Sequence, residues 1–154
     1  MAAYCDTNFL LRLYSDLPEA EVVFRLLAQR PAKADQRIPL TWLHQLELPN
    51  ALQLMVLLAR SGTAIRMTPE NASVGLARFD DDLSSGQFFA LTPIAAHDLV
   101  QETRALSLRH TARHGFRAYD IAHVASALLL ECDAFWSFDA KASKLAKLEG
   151  LKTL

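Results

Sequence analysis

The sequence predicts an α/β fold, a three-layer α/β/α sandwich around a mostly parallel central sheet. Three observations carry this expectation. Short apolar runs of strand length alternate with longer stretches of helical spacing along the whole chain. Threonine, aspartate or proline stands where several of the helical stretches begin. Two of the short runs end in an acid, Asp6 and Asp139, at the position where open α/β sheets present residues to a ligand.

The first element is a short strand closing at Asp6, followed by a helix from Thr7 in which Phe9, Leu10, Leu13 and Tyr14 repeat at helical spacing. Ser15-Asp16-Leu17-Pro18 breaks this helix and starts another that runs to about Gln29, and residues 31–36 are expected to form a loop. Residues 37–40 have strand character, but Pro39 argues for an edge strand or a strand end. Thr41 is placed to cap a helix over 41–60. Pro49 inside that helix suggests two helices meeting near Glu47, because proline removes a backbone hydrogen bond.

Thr68-Pro69 and Thr92-Pro93 each resemble an N-cap followed by proline in the first helical position. The first of these helices is expected to reach Ser84 and stop at Ser85-Gly86, the second to reach Leu108, with a strand over 88–91 between them. Residues 109–115 form a polar, basic stretch. A helix over 119–131 carries Ile121, Val124, Ala125, Leu128 and Leu129 on one face, a buried strand over 134–138 ends at Asp139, and a helix over 140–148 stops at Gly150. Residues 151–154 supply a last short strand. Right-handed crossovers would join these units into the parallel sheet.

One domain of 154 residues can bury a continuous core, and the hydrophobic share of 51% exceeds what that core requires, which points towards a contact surface for a partner. The helix from Leu48 to Ala59, apolar on more than one side, is a candidate to meet another subunit, although burial within the monomer explains the same residues. The net charge of -1 gives no general attraction for nucleic acid, so such binding would need a local basic patch. Cys5 and Cys132 have no metal-knuckle spacing and are expected to be buried thiols in a reducing compartment. No apolar run is long enough for a signal peptide or a membrane span, so a cytoplasmic location is expected.

Four acids stand out. Asp6 and Asp139 follow strands, Asp120 lies in the first turn of a helix, and Glu47 lies in an otherwise apolar helix; in a parallel sheet, strand ends and the first turns of the following helices share one edge. Each acid also has a local structural explanation, since aspartate favours helix starts. The blocks that hold them, Tyr4-Cys5-Asp6-Thr7-Asn8-Phe9-Leu10-Leu11, Glu47-Leu48-Pro49-Asn50-Ala51-Leu52, Phe116 to Leu128 around Tyr119-Asp120-Ile121-Ala122-His123, and Phe135-Trp136-Ser137-Phe138-Asp139, together resemble the PIN-domain nucleases. The resemblance is greatest to the VapC-type toxins of bacterial toxin–antitoxin pairs. It implies a ribonuclease whose acidic quartet is Asp6, Glu47, Asp120 and Asp139, a homodimer, and a small antitoxin partner. Ser137 stands where that family more often has threonine, and Pro49 after Glu47 is less usual.

Clustered carboxylates repel one another, and a hard divalent cation, Mg²⁺ or Mn²⁺, would offset that repulsion and activate a water for attack on phosphorus. On this reading Asp6 and Asp120 are the principal metal ligands, Asp139 and Glu47 complete the pocket, and Asn8 and Ser137 support it. Arg113 and Arg117, in the basic stretch with Arg109, His110 and His114, are candidates for phosphate contacts with RNA, although cations also suit a helix C-terminus. His123 is expected to be a packed helix residue. Two other functions fit the chain less well: a phosphatase with Asp6 as nucleophile, which lacks the closely following second acid, and a non-catalytic RNA- or protein-binding module.

Overall fold

In the computed structural model, which describes residues 2–15, 17–30 and 37–154, the first strand β1 (Ala3–Cys5) is fully buried and sorts the core into two halves. Alternation along the strand sends Ala3 and Cys5 to one face and Tyr4 to the other. Strand β4 (Ala134–Trp136) pairs with it in parallel and repeats the division, with Ala134 and Trp136 on the first face and Phe135 on the second. Helices α1 (Thr7–Leu13), α2 (Ala20–Ala28), α3 (Trp42–Arg60) and α4 (Pro69–Ser85) cover the first face. Helices α5 (Ala96–His114), α6 (Ala118–Leu129) and α7 (Ala140–Leu148) cover the second. The expected three-layer α/β/α sandwich is therefore the observed one, and all of its strand pairings are parallel.

Strand β5 (Lys152–Thr153) extends the sheet beyond β4, while β2 (Ile38–Leu40) pairs with β3 (Phe89–Leu91) and lies beside β1. The spatial order is β3-β2-β1-β4-β5, so the chain leaves β1 in one direction and returns on its other side. That reversal opens a crevice past the carboxyl ends of β1 and β4, the usual ligand position in such sheets.

Pro39 explains why the hydrogen-bonded sheet divides between β1 and β2. Ile38 N donates to Phe88 O and Thr92 N donates to Leu40 O, so residues 38 and 40 face β3 and residue 39 faces β1. Proline has no N–H to offer there. The expectation of an edge position holds for the hydrogen-bonded sheet, where β2 pairs only with β3, although β2 also packs beside β1.

His44 fills the gap. Its Nε2 lies 2.8 Å from Cys5 O, on the side of β1 that β2 leaves unbonded, and its Nδ1 accepts the Thr41 N–H at 2.9 Å. One fully buried imidazole thus closes the start of α3 and takes the place of a strand partner. These two bonds require the neutral Nε2–H tautomer, and burial accordingly lowers the His44 pKa to about 3.

Several expected boundaries move. Residues 42–60 form one helix through Pro49, not two meeting near Glu47; the carbonyl that proline leaves without its helical donor belongs to Gln45, an exposed residue. Thr92 caps no helix. Its N–H extends the β2–β3 ladder and its hydroxyl donates to Ala90 O, so α5 begins at Ala96. The basic stretch after Leu108 is the end of α5, which stops at Gly115 in the left-handed region. β4 ends at Trp136 rather than Phe138. The break at Asp16 and the loop over 31–36 lie outside the described residues.

Candidate functional site

Asp6 is the first residue past β1 and the N-cap of α1. Its Oδ1 accepts the Phe9 N–H at 2.9 Å, and its Oδ2 accepts the Ser137 hydroxyl at 2.6 Å. Burial, only partly offset by His123, Ser137 and the Phe9 N–H, raises the Asp6 pKa to about 6. Ser137, just past β4, accepts the Asp139 N–H at 2.9 Å. Asp139 in turn caps α7 through Oδ1, which accepts from Lys141 N and Ala142 N. The cap explanations given for Asp6 and Asp139 are correct, and they leave Oδ2 of Asp139 facing Arg117 Nη2 at 3.7 Å.

Glu47 lies in the second turn of α3, and its Oε2 is 2.8 Å from Nε2 of His123. The ring of His123 is buried; its Nδ1 lies 2.8 Å from Tyr4 Oη, and Thr7 Oγ1 is 3.3 Å from Nε2. Burial pushes the Glu47 carboxyl up, but the hydrogen bond from His123 outweighs it and holds the group below its ordinary value. Burial holds the Tyr4 phenol neutral, far above its ordinary pKa.

Asp120 occupies the third position of α6. Its Oδ2 is buried without a hydrogen-bond partner, the nearest cation being Arg117 Nε at 3.5 Å, beyond hydrogen-bond geometry. Burial and the neighbouring Asp139 raise its pKa, and Arg117 only partly opposes them. The four acids line one cavity of about 260 Å³, together with Asn8, Arg117 and His123. Among the described residues no three of the His, Cys, Asp and Glu side chains are arranged to hold a metal ion by themselves.

The remaining sequence candidates separate. Asn8 reaches the cavity, with its Oδ1 engaged by Arg12 Nη1 at 2.9 Å. Arg117 reaches it, whereas Arg113 is exposed on the last turn of α5 and does not line it. Arg109 and His110 are bound to Glu149 instead, at 2.7 and 2.5 Å. His123 is packed, as expected, but its bond to Glu47 was not foreseen; the one available hint was its place three residues after Asp120, which puts both on one face of a helix. Tyr4 and His44 were equally hidden, because each acts through a residue distant in the chain. A second, almost wholly apolar groove of about 500 Å³ lies between α3, α5 and α6, where Trp42, Val100, Leu108 and Tyr119 are exposed.

No protein-family model matches this chain, and no curated protein matches it. Among solved structures it is similar to the crystal structure of VapC20 from Mycobacterium tuberculosis, a toxin that cleaves the sarcin-ricin loop. The match has a TM-score of 0.64 over 93% of this chain and 94% of that chain, at 17% sequence identity. At that identity the likeness is one of fold, and the fold is the PIN-like one expected from the sequence.

Proposed function

We propose that the chain is a metal-dependent ribonuclease that hydrolyses RNA phosphodiester bonds through Asp6, Glu47, Asp120 and Asp139, and that it is the toxin of a toxin–antitoxin pair. The observation that carries this reading is the meeting of four acids from four separate elements in one cavity, with a buried carboxylate oxygen of Asp120 that accepts no hydrogen bond and has only the Arg117 guanidinium nearby. An unsatisfied buried oxygen is costly unless a ligand completes it. The fold shared with an RNA-cleaving toxin supports RNA as the substrate class.

The donor set fits Mg²⁺ or Mn²⁺. All four groups offer hard oxygens, and Mg²⁺ is commonly held by one or two carboxylates with its waters retained, which requires no three-residue cage. Asp6 and Asp120 would hold the ion, which when bound supplies Lewis acidity and an activated water. The chain's own residues do the rest. Ser137 fixes the direction of Asp6 and Asp139 together, His123 holds Glu47, and Arg117 offers a guanidinium to a phosphate at the cavity mouth. The burial of Asp6 and the engagement of both its oxygens favour this role over that of a phosphate-accepting nucleophile.

The exposed apolar groove beside α5 supports protein contacts, for which the antitoxin and a second copy of the chain are the proposed occupants. No helix among the described residues is long and apolar enough to cross a membrane, and we place the activity in the cytoplasm, with its RNA. The test is incubation of the purified protein with structured RNA and Mg²⁺ or Mn²⁺, alongside EDTA and Asp120→Asn. Cleavage lost in both controls is the expected result; cleavage that survives either one overturns the metal-carboxylate assignment.

A further inference from the structure

We propose that His123 is the positioning residue of the acidic site: from inside the protein it donates Nε2–H to Glu47 Oε2, and Tyr4 holds it in the tautomer that can do so. The activity arm of the test rests on the ribonuclease reading above; the geometry does not.

The direction of each hydrogen bond follows from chemistry. A carboxylate only accepts, so the 2.8 Å contact between Glu47 Oε2 and His123 requires a proton on Nε2. The Tyr4 phenol lies 2.8 Å from Nδ1 and, being neutral, has a proton to donate there. With Nδ1 occupied as an acceptor, the imidazole keeps its proton on Nε2 and points it at Glu47.

The need for such a device follows from Glu47 itself. Glutamate carries several rotatable bonds, and freezing them costs side-chain entropy that something must offset. The His123 ring is only 3% exposed and is hemmed in by Tyr4 and His44, with ring centroids 5.8 and 4.9 Å away. It is a rigid anchor for a flexible acid. His123 and Asp120 are also one turn apart on α6, so a single helix sets Asp120 directly and Glu47 through its histidine.

The experiment compares wild type with His123→Phe, which keeps a ring and loses the donor, and His123→Gln, whose amide nitrogen can occupy the place of Nε2. With RNA and Mn²⁺, His123→Phe is expected to lower kcat by about tenfold or more with KM changed by less than about twofold, and His123→Gln to recover most of the loss. Wild-type kcat in His123→Phe, or a Gln variant no better than the Phe one, overturns the proposal. A second measurement needs no variant and no turnover: nitrogen-15 NMR of the His123 ring at neutral pH should find the proton on Nε2, and a bare Nε2 overturns the assignment. If wild-type protein cleaves no RNA, the ribonuclease reading fails by itself, and the ring spectrum still decides the role of His123.

Discussion

The hydroxyl of Ser137 donates to Asp6 Oδ2 at 2.6 Å and accepts the Asp139 N–H at 2.9 Å, so one small side chain ties the acid after β1 to the acid after β4. The two strands that end there are neighbours in the sheet, although 131 residues separate Asp6 from Ser137 in the chain. The cavity is thus braced where the sheet reverses its strand order.

Ser137→Ala should remove both bonds and leave the Asp139 N–H short of a partner. A loss of about 1–3 kcal/mol in stability is expected, together with lower cleavage, because Asp6 would be held only by the Phe9 N–H. Ser137→Thr should restore both. Urea denaturation of the three proteins checks this, and unchanged stability in the alanine variant would refute the bracing role.

Two buried groups pull the pH dependence of stability in opposite directions. The folded state raises Asp6 from 3.8 to about 6, so it binds that proton more tightly than the unfolded chain, and stability falls as pH rises through this window. The folded state lowers His44 from 6.5 to about 3, so the unfolded chain takes that proton first, and stability falls as pH drops below 6.5. Asp6→Asn removes the first effect, although its single amide oxygen can accept from only one of Phe9 N–H and the Ser137 hydroxyl. The variant should lose stability more steeply than wild type between pH 6 and 4, whatever its stability at pH 8. Parallel stability curves for the two proteins would contradict this.

Arg117 is 73% exposed and stands 3.5 Å from Asp120 and 3.7 Å from Asp139. Arg117→Ala should therefore change stability by less than about 0.5 kcal/mol, as exposed pairs contribute little. It should weaken RNA binding and reduce the salt dependence of that binding by about one unit of log-log slope. A salt titration of binding measures it; an unaltered slope would remove Arg117 from the RNA contact.

Gly75 brings α4 against Tyr14, the residue that closes α1. A Cβ there would come within 2.4 Å of the Tyr14 carbonyl oxygen, a backbone atom that cannot move aside. Gly75→Ala should cost about 1–3 kcal/mol despite the better helix propensity of alanine. Thermal denaturation decides it, and a stabilised variant would show that the two helices are free to separate.

Most of the strands and helices were legible because their signals are local. Asp6 and Asp139 cap helices in the structure as their spacing suggests, Thr68 accepts the Asn71 N–H at 3.2 Å, and Gly86 stops α4 in the left-handed region. The misplaced features have distant causes. Thr92 carries the same cap signal as Thr68, but its N–H is claimed by Leu40 from another strand. Pro39 signals a ladder end, while its place in the row of strands depends on packing beside β1.

The same division holds for the site. Local signals suffice to place Asp6, Asp120 and Asp139 at strand ends and helix starts, because capping and hydrophobic periodicity act within a few residues. Long-range packing brings these acids to one cavity, leaves Arg113 outside it, and bonds His123 and His44 to Glu47 and Cys5. The physical reason is that a buried donor or acceptor must find a partner, and in a folded chain that partner is chosen by proximity in space, which local spacing does not encode.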